Sequence, residues 1–377
     1  MQLTQEILDM LDAQREEHLT LLKTLAAIPA PSGQEQLRVD FCTKWLRDNG
    51  VENVHMDEAL NVICAFGVTD SNPLVVIAAH SDVVFPDLEP LPVKQEDGKL
   101  CCPGVGDDTA SVVILMMAAR YIARNRLTPK DCGMLIVINS SEEGLGNLKG
   151  SRHLMQTYGS RVREFITFDG RIGVSVDKAV GSKRFRIEVD TEGGHSYSKF
   201  GNRNAIAYLA SLIDTLYTIK VPEGGKTTYN VGTISGGTSV NTIAQHAEML
   251  YEFRSDDRTS LEIMDKHLAA AIEFYRAKGV NITVTLVGDR PCGGDVDPQA
   301  MEALRNRVSA INRRCFGQEL SFVRGSTDCN VPLSMGIPAL CLGCYSGFGA
   351  HTRQEYVQID SLPGGAKFAF DVILSYY

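Results

Sequence analysis

Short apolar runs rich in β-branched residues alternate with longer helical patterns towards both ends of the chain. The runs are continuous rather than broken by polar residues, which is typical of strands buried on both faces of a mostly parallel sheet. They lie at residues 74–79, 133–139, 165–168 and 339–342. Segments of helical length follow at residues 109–123, 299–312 and 362–376. This pattern predicts an α/β three-layer sandwich with helices on both faces of the sheet.

The middle of the chain has a different pattern. Polar and apolar residues alternate at 184–190 and 280–286, and further strand-like segments lie at 228–234 and 247–253, with helical segments at 204–216 and 259–278. Strands with one polar face and two helices predict a small α+β domain whose sheet is half exposed. Glycine-rich turns flank it, so we place an inserted domain at residues 182–290. The first domain is then discontinuous, comprising residues 1–181 and 291–377.

Composition and charge exclude several classes of function. Of the 377 residues, 37 are Lys or Arg and 46 are Asp or Glu, for a net charge of −9, and no basic run occurs. Nucleic acid is therefore not an expected partner. No apolar stretch approaches the ~20 residues that span a bilayer, so no membrane association is expected. The N-terminal segment is polar, and the ten cysteines show no framework spacing. These features predict reduced thiols and a cytoplasmic protein.

Residues of the types that commonly bind metal ions, His, Asp and Glu, follow the predicted buried strands. In an open α/β sheet, ligands bind at the carboxyl ends of the strands. A single Asp after a strand is usually a turn residue, but here five strand ends or adjoining turns each present His, Asp or Glu. The residues are His80 and Asp82, Asp107 and Asp108 in the turn GVGD, Glu142 and Glu143, Asp169, and His351 in GFGAHTRQE.

Two histidines and several carboxylates in one pocket suit a divalent ion such as zinc, with manganese and cobalt as alternatives. Carboxylates can also bridge two metal ions roughly 3.5–4 Å apart, an arrangement that activates water for hydrolysis. For Glu142 and Glu143 a plainer interpretation is a solvated helix N-terminus, where the helix dipole favours acids. Their place beside the other candidate ligands favours the metal site instead.

The order and spacing of these residues resemble those of the cocatalytic dizinc amidohydrolases, a family that includes peptidase T, carboxypeptidase G, aminoacylase, succinyl-diaminopimelate desuccinylase and acetylornithine deacetylase. The resemblance extends from about residue 20 to residue 370. Further blocks agree with it: GGHSYSKFGNRNAIAYLASLI, VGTISGGTSVNTIA, YEFRSDD and RGSTDCN. The resemblance implies a metal-binding sandwich with an inserted lid or dimerisation domain, and two divalent ions for each subunit.

The resemblance also implies roles for single residues. Glu142 would be the general base that takes a proton from the attacking water, and Asp82 would orient the His80 imidazole. The metal ligands would be Asp107 as the bridge, His80 and Asp169 on one ion, and Glu143 and His351 on the other. One departure affects the bridge: the family's D-x-K-G reads Asp107-Asp108-Thr109-Ala110 here. Asp108 therefore remains an alternative bridging ligand.

On the substrate side, the resemblance implies that His195, in GGHS, reaches the active site of a neighbouring subunit and stabilises the developing oxyanion. The protein would then be a homodimer joined through its inserted domain. Asn241 and Arg254 match positions that bind the backbone or terminal carboxylate of the substrate, and Arg324 resembles an arginine of the peptidase T segment. Each has a structural alternative: His195 as a turn residue, Arg254 paired with Asp256 or Asp257, and Arg324 paired with Asp328.

These inferences lead to three hypotheses of function. The first is a cytoplasmic dizinc exopeptidase, an aminopeptidase or tripeptidase acting on short peptides. The second keeps the fold and metals but hydrolyses N-acyl amino acids, or removes C-terminal residues as a carboxypeptidase. The third is a catalytically silent binding protein of the same fold. The metal centre would cleave an amide in the first two, so only the substrate pocket distinguishes them.

Overall fold

The computed structural model describes residues 3–377, and within them the chain forms ten α-helices and eighteen β-strands. The helices are α1 Gln5–Ala13, α2 Arg15–Ala27, α3 Gln36–Asp48, α4 Ser111–Arg124, α5 Lys149–Tyr158, α6 Ala205–Leu216, α7 Arg258–Ala277, α8 Pro298–Phe316, α9 Asn330–Ser334 and α10 Leu362–Leu374. The strands are β1 Val54–Met56, β2 Val62–Phe66, β3 Leu74–His80, β4 Lys94–Glu96, β5 Lys99–Cys101, β6 Gly133–Asn139, β7 Val162–Phe168, β8 Val174–Ala179, β9 Gly181–Asp190, β10 Gly194–His195, β11 Thr227–Gly236, β12 Thr242–Ile243, β13 His246–Ser255, β14 Asn281–Arg290, β15 Ser321–Gly325, β16 Ala339–Leu342, β17 Gly347–Phe348 and β18 Tyr356–Gln358.

The chain divides into two compact units. One contains the residues up to Ala179 together with Asp295–Tyr377, and the other is Val180–Gly294. The sequence pattern placed the inserted domain at 182–290, and residues 1 and 2 of the predicted first domain lie outside the described part. The first unit is called the sandwich unit below, and the second the inserted unit.

The sandwich unit is built on an eight-stranded sheet with the order β1-β2-β6-β3-β7-β16-β8-β15. The central strands β6, β3, β7 and β16 pair in parallel. Every residue of β3 and of β6 is buried, as expected for strands covered on both faces. Helix α4 is apolar around most of its circumference and packs against both of these strands. The predicted mixed α/β fold with a mostly parallel central sheet is confirmed.

The parallel pairing determines where the polar residues gather. Strands β3, β6, β7 and β16 run in the same direction, so their carboxyl ends lie at one edge of the sheet. Strand β3 ends at His80, and the chain leaves β6, β7 and β16 immediately before the segments that carry the other candidate residues. One edge of this sheet therefore carries side chains that are far apart in the sequence.

The inserted unit has a four-stranded antiparallel sheet with the order β11-β13-β9-β14. Burial alternates along β13 and β9, and the inward residues, such as Ile187, Met249 and Phe253, form an apolar core with α6 and α7. The second half of the edge strand β11 is exposed. A separate pair of short strands, β10 and β12, carries His195 opposite Thr242. Among the helices of residues 3–377, none is long and apolar enough to cross a membrane.

Candidate metal centre and substrate residues

Asp107 lies between two histidines. Its Oδ1 is 3.0 Å from Nε2 of His80, and its Oδ2 is 3.1 Å from Nε2 of His351. The same His351 nitrogen is 2.9 Å from Oε1 of Glu143. Each oxygen of this carboxylate thus faces a different imidazole, as expected for a group that two cations could share. The structure thus brings together four of the predicted ligands, contributed by four separate segments of the chain.

The side chains around Asp107 fit divalent cations. Ligand atoms of His80, Asp107 and Glu143 all lie within 4.8 Å of one another. Nδ1 of His80 lies 3.1 Å from the carbonyl oxygen of Asp82, to which it donates, so in the neutral ring Nε2 keeps the lone pair that a cation needs. Imidazole nitrogens and carboxylate oxygens are the donors that zinc and related ions take.

The pKa shifts of His351 and Asp107 also indicate a site for cations. Hydrogen bonds to Asp107 and Glu143 raise the pKa of His351 to about 11. Although burial opposes the shift, contacts with His351 and His80 lower the pKa of the Asp107 carboxyl. Negative charge is thus concentrated where the two imidazoles meet, and protons there take the place that a bound cation would fill.

Asp169 follows β7 and is half-buried, and its backbone N–H donates to the carbonyl of Leu342 at 2.9 Å. It lines the same cavity of about 350 Å³ as Asp107, along with Arg171, Tyr345 and Phe348. Burial, followed by the charge of Asp107, raises the pKa of Asp169 to about 7. Asp169 thus shares a cavity with Asp107, but it does not belong to the group of ligand atoms formed by His80, Asp107 and Glu143.

Asp108 is fully buried and faces a different partner from Asp107. Its Oδ2 accepts the backbone N–H of His80 at 3.0 Å. Burial raises the pKa of this carboxyl well above its usual value. In this geometry Asp107 contacts both histidine rings, whereas Asp108 supports the backbone of one of them.

Asp82 organises the segments around the candidate base. Its Oδ1 accepts the backbone N–H of Glu142 and its Oδ2 that of Glu143, both at 2.9 Å. Ser32 donates its hydroxyl to the same carboxylate at 2.6 Å, and Nδ1 of His80 is 3.4 Å away. Asp82 therefore fixes the turn that carries both glutamates as well as facing the His80 ring. Glu142 itself is 5% exposed and lies at this buried edge of the sheet.

Glu355 was not predicted from the sequence. Its carboxylate is 2% exposed and accepts the backbone N–H groups of Gly104, Gly106 and Asp107 at 2.6, 2.9 and 2.9 Å. It thereby holds the turn that presents Asp107. Burial raises the pKa of Glu355 to about 7, and these hydrogen bonds oppose that shift. It follows His351 by four residues in the same loop, but no local pattern distinguishes it from a surface glutamate.

Thr109, which departs from D-x-K-G, is held in the turn by hydrogen bonds. The hydroxyl of Thr109, which replaces the family's lysine, donates to the carbonyl of Gly104 at 2.5 Å and accepts from Nη1 of Arg38 at 3.1 Å. Arg38 is fully buried and also donates to the carbonyls of Ile28 and Ser81. Burial lowers its pKa to about 10, so it stays charged at neutral pH. A cation from α3 thus contacts this turn.

His195 and Asn241 lie together in the inserted unit. Asn241 immediately precedes β12, and its carbonyl accepts the backbone N–H of Ser196 at 2.9 Å. Nδ1 of His195 accepts the backbone N–H groups of Tyr197 and Ser198 at 3.2 and 3.4 Å. The ring proton of a neutral His195 is therefore on Nε2, which makes that nitrogen a hydrogen-bond donor. Both residues are exposed.

The two candidate arginines lie in different sheets. Arg254, on β13, forms a two-pronged ion pair with Glu252, with both N–O distances 3.0 Å. Arg254 therefore pairs with Glu252 rather than with Asp256 or Asp257. Asp256 is buried and accepts the backbone N–H of Lys226, and Asp257 accepts the backbone N–H of Ser260 at the start of α7. Arg324 is exposed on β15, at one edge of the eight-stranded sheet. Asp328 is buried and accepts the side-chain N–H of Asn139 at 2.6 Å.

A mixed α/β fold with histidines and carboxylates gathered at its strand ends indicates a metal-binding site. The chain belongs to peptidase family M20/M25/M40, whose family model matches residues 76–375. It is accordingly a metallopeptidase or amidohydrolase of that family.

Three relatives illustrate the similarity. The chain is 23% identical over 352 residues to succinyl-diaminopimelate desuccinylase of Corynebacterium glutamicum, covering 91% of this chain and 92% of that protein. Its fold is similar to that of a tripeptidase from Staphylococcus aureus, with a TM-score of 0.76, 21% identity, and coverage of 95% and 97%. It is also similar to aminopeptidase PepT from Bacillus cereus, with a TM-score of 0.72, 20% identity, and coverage of 95% and 98%. The two structural likenesses establish the fold.

Proposed function

We propose that the protein is an exopeptidase that removes residues from the amino end of short peptides, using two divalent metal ions for each subunit. The observation that carries this proposal is the contact of one carboxylate, Asp107, with both His80 and His351 at the carboxyl edge of the sheet. Zinc is the first choice of ion, with cobalt or manganese as alternatives. The preference for peptides is supported by the likeness to a tripeptidase and an aminopeptidase.

The proposed ligand assignment combines the contacts of Asp107, His80, His351 and Glu143 with the role that the family resemblance implies for Asp169. Asp107 would be shared, His80 and Asp169 would complete one position, and Glu143 and His351 the other. When bound, such ions polarise an amide carbonyl and make water a stronger nucleophile at neutral pH. The protein's own contribution is to hold these side chains in place, chiefly through Asp82 and Glu355.

Glu142 is the proposed proton carrier. Its backbone N–H is fixed by Asp82, and its neighbour Glu143 contacts His351, so the residue lies next to a candidate ligand in the chain without being assigned as one. It would take a proton from the attacking water and deliver a proton to the departing amine nitrogen. A single carboxylate can do both, because the first transfer produces the acid that the second requires.

We further propose that His195 acts on a partner's active site in a homodimer. Its Nε2–H is a suitable donor to the oxygen that becomes negative as the amide is attacked. Tyr197 and Phe200, beside it, are 89% and 91% exposed, and large apolar side chains of this kind are often covered by a partner. A cytoplasmic location is part of the proposal and is supported by ten free cysteines.

An N-acyl-amino-acid hydrolase is the second candidate. It would use the same metal centre, and the similarity to a desuccinylase favours it. A carboxypeptidase is a further variant of this second candidate. The substrate pocket must discriminate among these activities, since the bond broken is an amide in each.

The test is a hydrolysis screen that pairs free dipeptides and tripeptides with their N-acetylated counterparts, each with zinc, cobalt or manganese added. The proposal expects cleavage of the free peptides, and loss of cleavage after a chelator removes the metal. Cleavage of the acetylated series alone would favour the second candidate. Activity unchanged by chelation would contradict a metal mechanism, and no cleavage by metal-loaded protein would favour a silent binding protein.

A further inference from the structure

Arg171 stands beside the candidate metal centre, in the wall of the cavity that also contains Asp107 and Asp169. Its guanidinium carbon lies 5.2 Å from the centre of the Phe348 ring, within the range of a cation–π contact. Among the lining residues that the structure describes, Arg171 is the one cation. Arg171 lies in none of the sequence motifs described above, and Phe348 lies in GFGAHTRQE, three residues before His351, without a predicted role.

The backbone of Arg171 is held in place. The residue forms a parallel bridge with Tyr345, and the next N–H, that of Ile172, donates to the carbonyl of Tyr345 at 2.8 Å. At Gly343 a Cβ atom would lie 1.9 Å from the carbonyl oxygen of Arg171, so only glycine admits this close approach. Arg171 is therefore part of a fixed structure although its side chain is exposed.

Phe348, whose ring the Arg171 guanidinium contacts, is also held in place by its neighbours. It pairs with Tyr356 in the short ladder of β17 and β18, and the two rings lie 6.3 Å apart. Phe348 is nevertheless 64% exposed. An aromatic face that holds a guanidinium while leaving its N–H edge open is a common way to present arginine to a ligand.

The charges in the cavity leave Arg171 available. In residues 3–377 its guanidinium forms no ion pair, although three carboxylates line the same cavity. Two of them, Asp107 and Asp169, are the proposed ligands of metal ions. The third, Glu355, is occupied by three backbone N–H groups. The N–H donors of Arg171 are thus left for a group that enters from outside.

We propose that Arg171, supported by Phe348, binds a carboxylate of the substrate that is not part of the scissile amide. The planar fork of a guanidinium matches the two oxygens of a carboxylate, and such paired hydrogen bonds are strong and directional. The preferred substrates are then those with an acidic group close to the cleaved bond. The inference rests on the proposed amide hydrolysis, and it specifies the substrate class within it.

The experiment measures kcat/KM for substrate pairs that differ only in a carboxylate or its amide. One arm places the group on the acyl side, comparing Glu-Ala-Ala with Gln-Ala-Ala and N-succinyl-leucine with N-succinamoyl-leucine. The other places it on the amine side, comparing Ala-Ala-Ala with its C-terminal amide. Each pair is measured with the wild type, Arg171→Gln, Arg171→Lys and Phe348→Leu, and with Arg163→Gln as a matched control, since Arg163 is an exposed arginine outside the cavity.

We expect the wild type to prefer the carboxylate in one arm, and Arg171→Gln to reduce that preference by about 10- to 100-fold. Arg171→Lys should restore part of it and Phe348→Leu should weaken it, while Arg163→Gln should preserve it. If Arg171→Gln reduces the preference in the acyl-side pairs, the bound carboxylate is on the acyl side. If it does so in the amine-side pair, the bound carboxylate is on the amine side. An equal loss on carboxylate and amide substrates in both arms would overturn the inference.

A binding measurement separates this inference from the proposed function. Calorimetric titration of the metal-loaded protein with succinate and with succinamate reports recognition of the second carboxylate without any turnover. Tighter binding of succinate, lost in Arg171→Gln, supports the inference even if every amide tested is left uncleaved. Equal affinity of the wild type for the two probes excludes a carboxylate on the acyl side. If kcat/KM also shows no preference for Ala-Ala-Ala over its C-terminal amide, the inference is wrong even if peptides are hydrolysed.

Discussion

The sandwich unit and the inserted unit present their functional candidates in opposite ways. In the sandwich unit, His80, Asp82 and Glu142 are at most 5% exposed, and their contacts are with each other's segments. In the inserted unit, His195 and Asn241 are exposed, and the contacts described for them are with residues of the two short segments around β10 and β12. The residues of the sandwich unit are organised by contacts within that unit. The exposed residues of the inserted unit could instead contact a substrate or a partner subunit.

The difference follows from the two kinds of sheet. Parallel strands direct all their carboxyl ends to one edge, so residues from distant parts of the sequence meet there and are buried by the surrounding loops. The antiparallel sheet packs against α6 and α7, and His195 lies outside that sheet, on the separate short pair β10 and β12, with its side chain exposed. This comparison predicts that changes in the sandwich unit act through the metal centre of the same subunit. Changes at His195 should act on another subunit.

The largest effect is expected from the carboxylate shared by the two histidines. Asp107→Asn should weaken binding of both metal ions by at least about 10²-fold, because it removes the charge that both would share. Asp108→Asn is the matched control, since an amide oxygen can still accept the His80 N–H. Titration of metal-free protein with zinc gives the affinities directly. A larger loss in the Asp108 variant would mean that the Thr109-Ala110 turn shifts the bridging role by one residue.

Glu142→Gln should reduce kcat by roughly 10²–10⁴-fold while both metal ions stay bound, because a glutamine cannot accept the proton. Elemental analysis of the purified variant, together with steady-state kinetics, separates the two effects. A fall in metal content that parallels the loss of activity would show that the roles of Glu142 and Glu143 are exchanged.

His195→Ala tests the other side of the comparison and should reduce kcat by about 10²–10³-fold, the usual effect of losing an oxyanion donor. The informative measurement mixes His195→Ala with Glu142→Gln under conditions of subunit exchange. In each mixed dimer one site would then have an intact base and an intact partner histidine, so up to about half of the sites should be active.

The control is the activity of each variant exchanged with itself, and exchange must be verified by labelling one variant. If exchange occurs and activity stays at the level of the separate variants, His195 acts within its own subunit or is structural. The inserted unit would then not contribute to a partner's active site, and a monomer should be active.

The smallest effect is expected at Glu355. Glu355→Gln should weaken zinc binding by about 10- to 100-fold, as is usual for groups that orient metal ligands, because one of its carboxylate oxygens becomes an amide nitrogen that cannot accept. Glu319→Gln is a matched exposed control, since Glu319 forms only a surface ion pair with Arg313. Zinc affinity, together with a melting curve of each variant, distinguishes a loose Asp107 turn from general destabilisation. Unchanged affinity would show that the turn holds its shape without Glu355.

Much of the fold could be predicted because strands buried on both faces have continuous apolar sequences. The predicted segments 133–139 and 339–342 coincide with β6 and β16. Strands β8 and β15, which extend the large sheet at one edge, were missed. They are only partly buried, so their sequences mix polar and apolar residues without a clear period. Pairing with neighbours, rather than local preference, makes these segments strands.

The sequence by itself determined which residues could form a metal centre, because His80, Asp107, Glu143 and His351 all lie at or near the ends of apolar segments. Only the tertiary structure decided that Asp107 contacts both histidines and that Asp108 does not, since a one-residue difference in a turn leaves no periodic signal. It also decided the positions of Glu355 and Arg171. Their partners come from segments far along the chain, and contacts of this kind exist only when the sheet has brought those segments together.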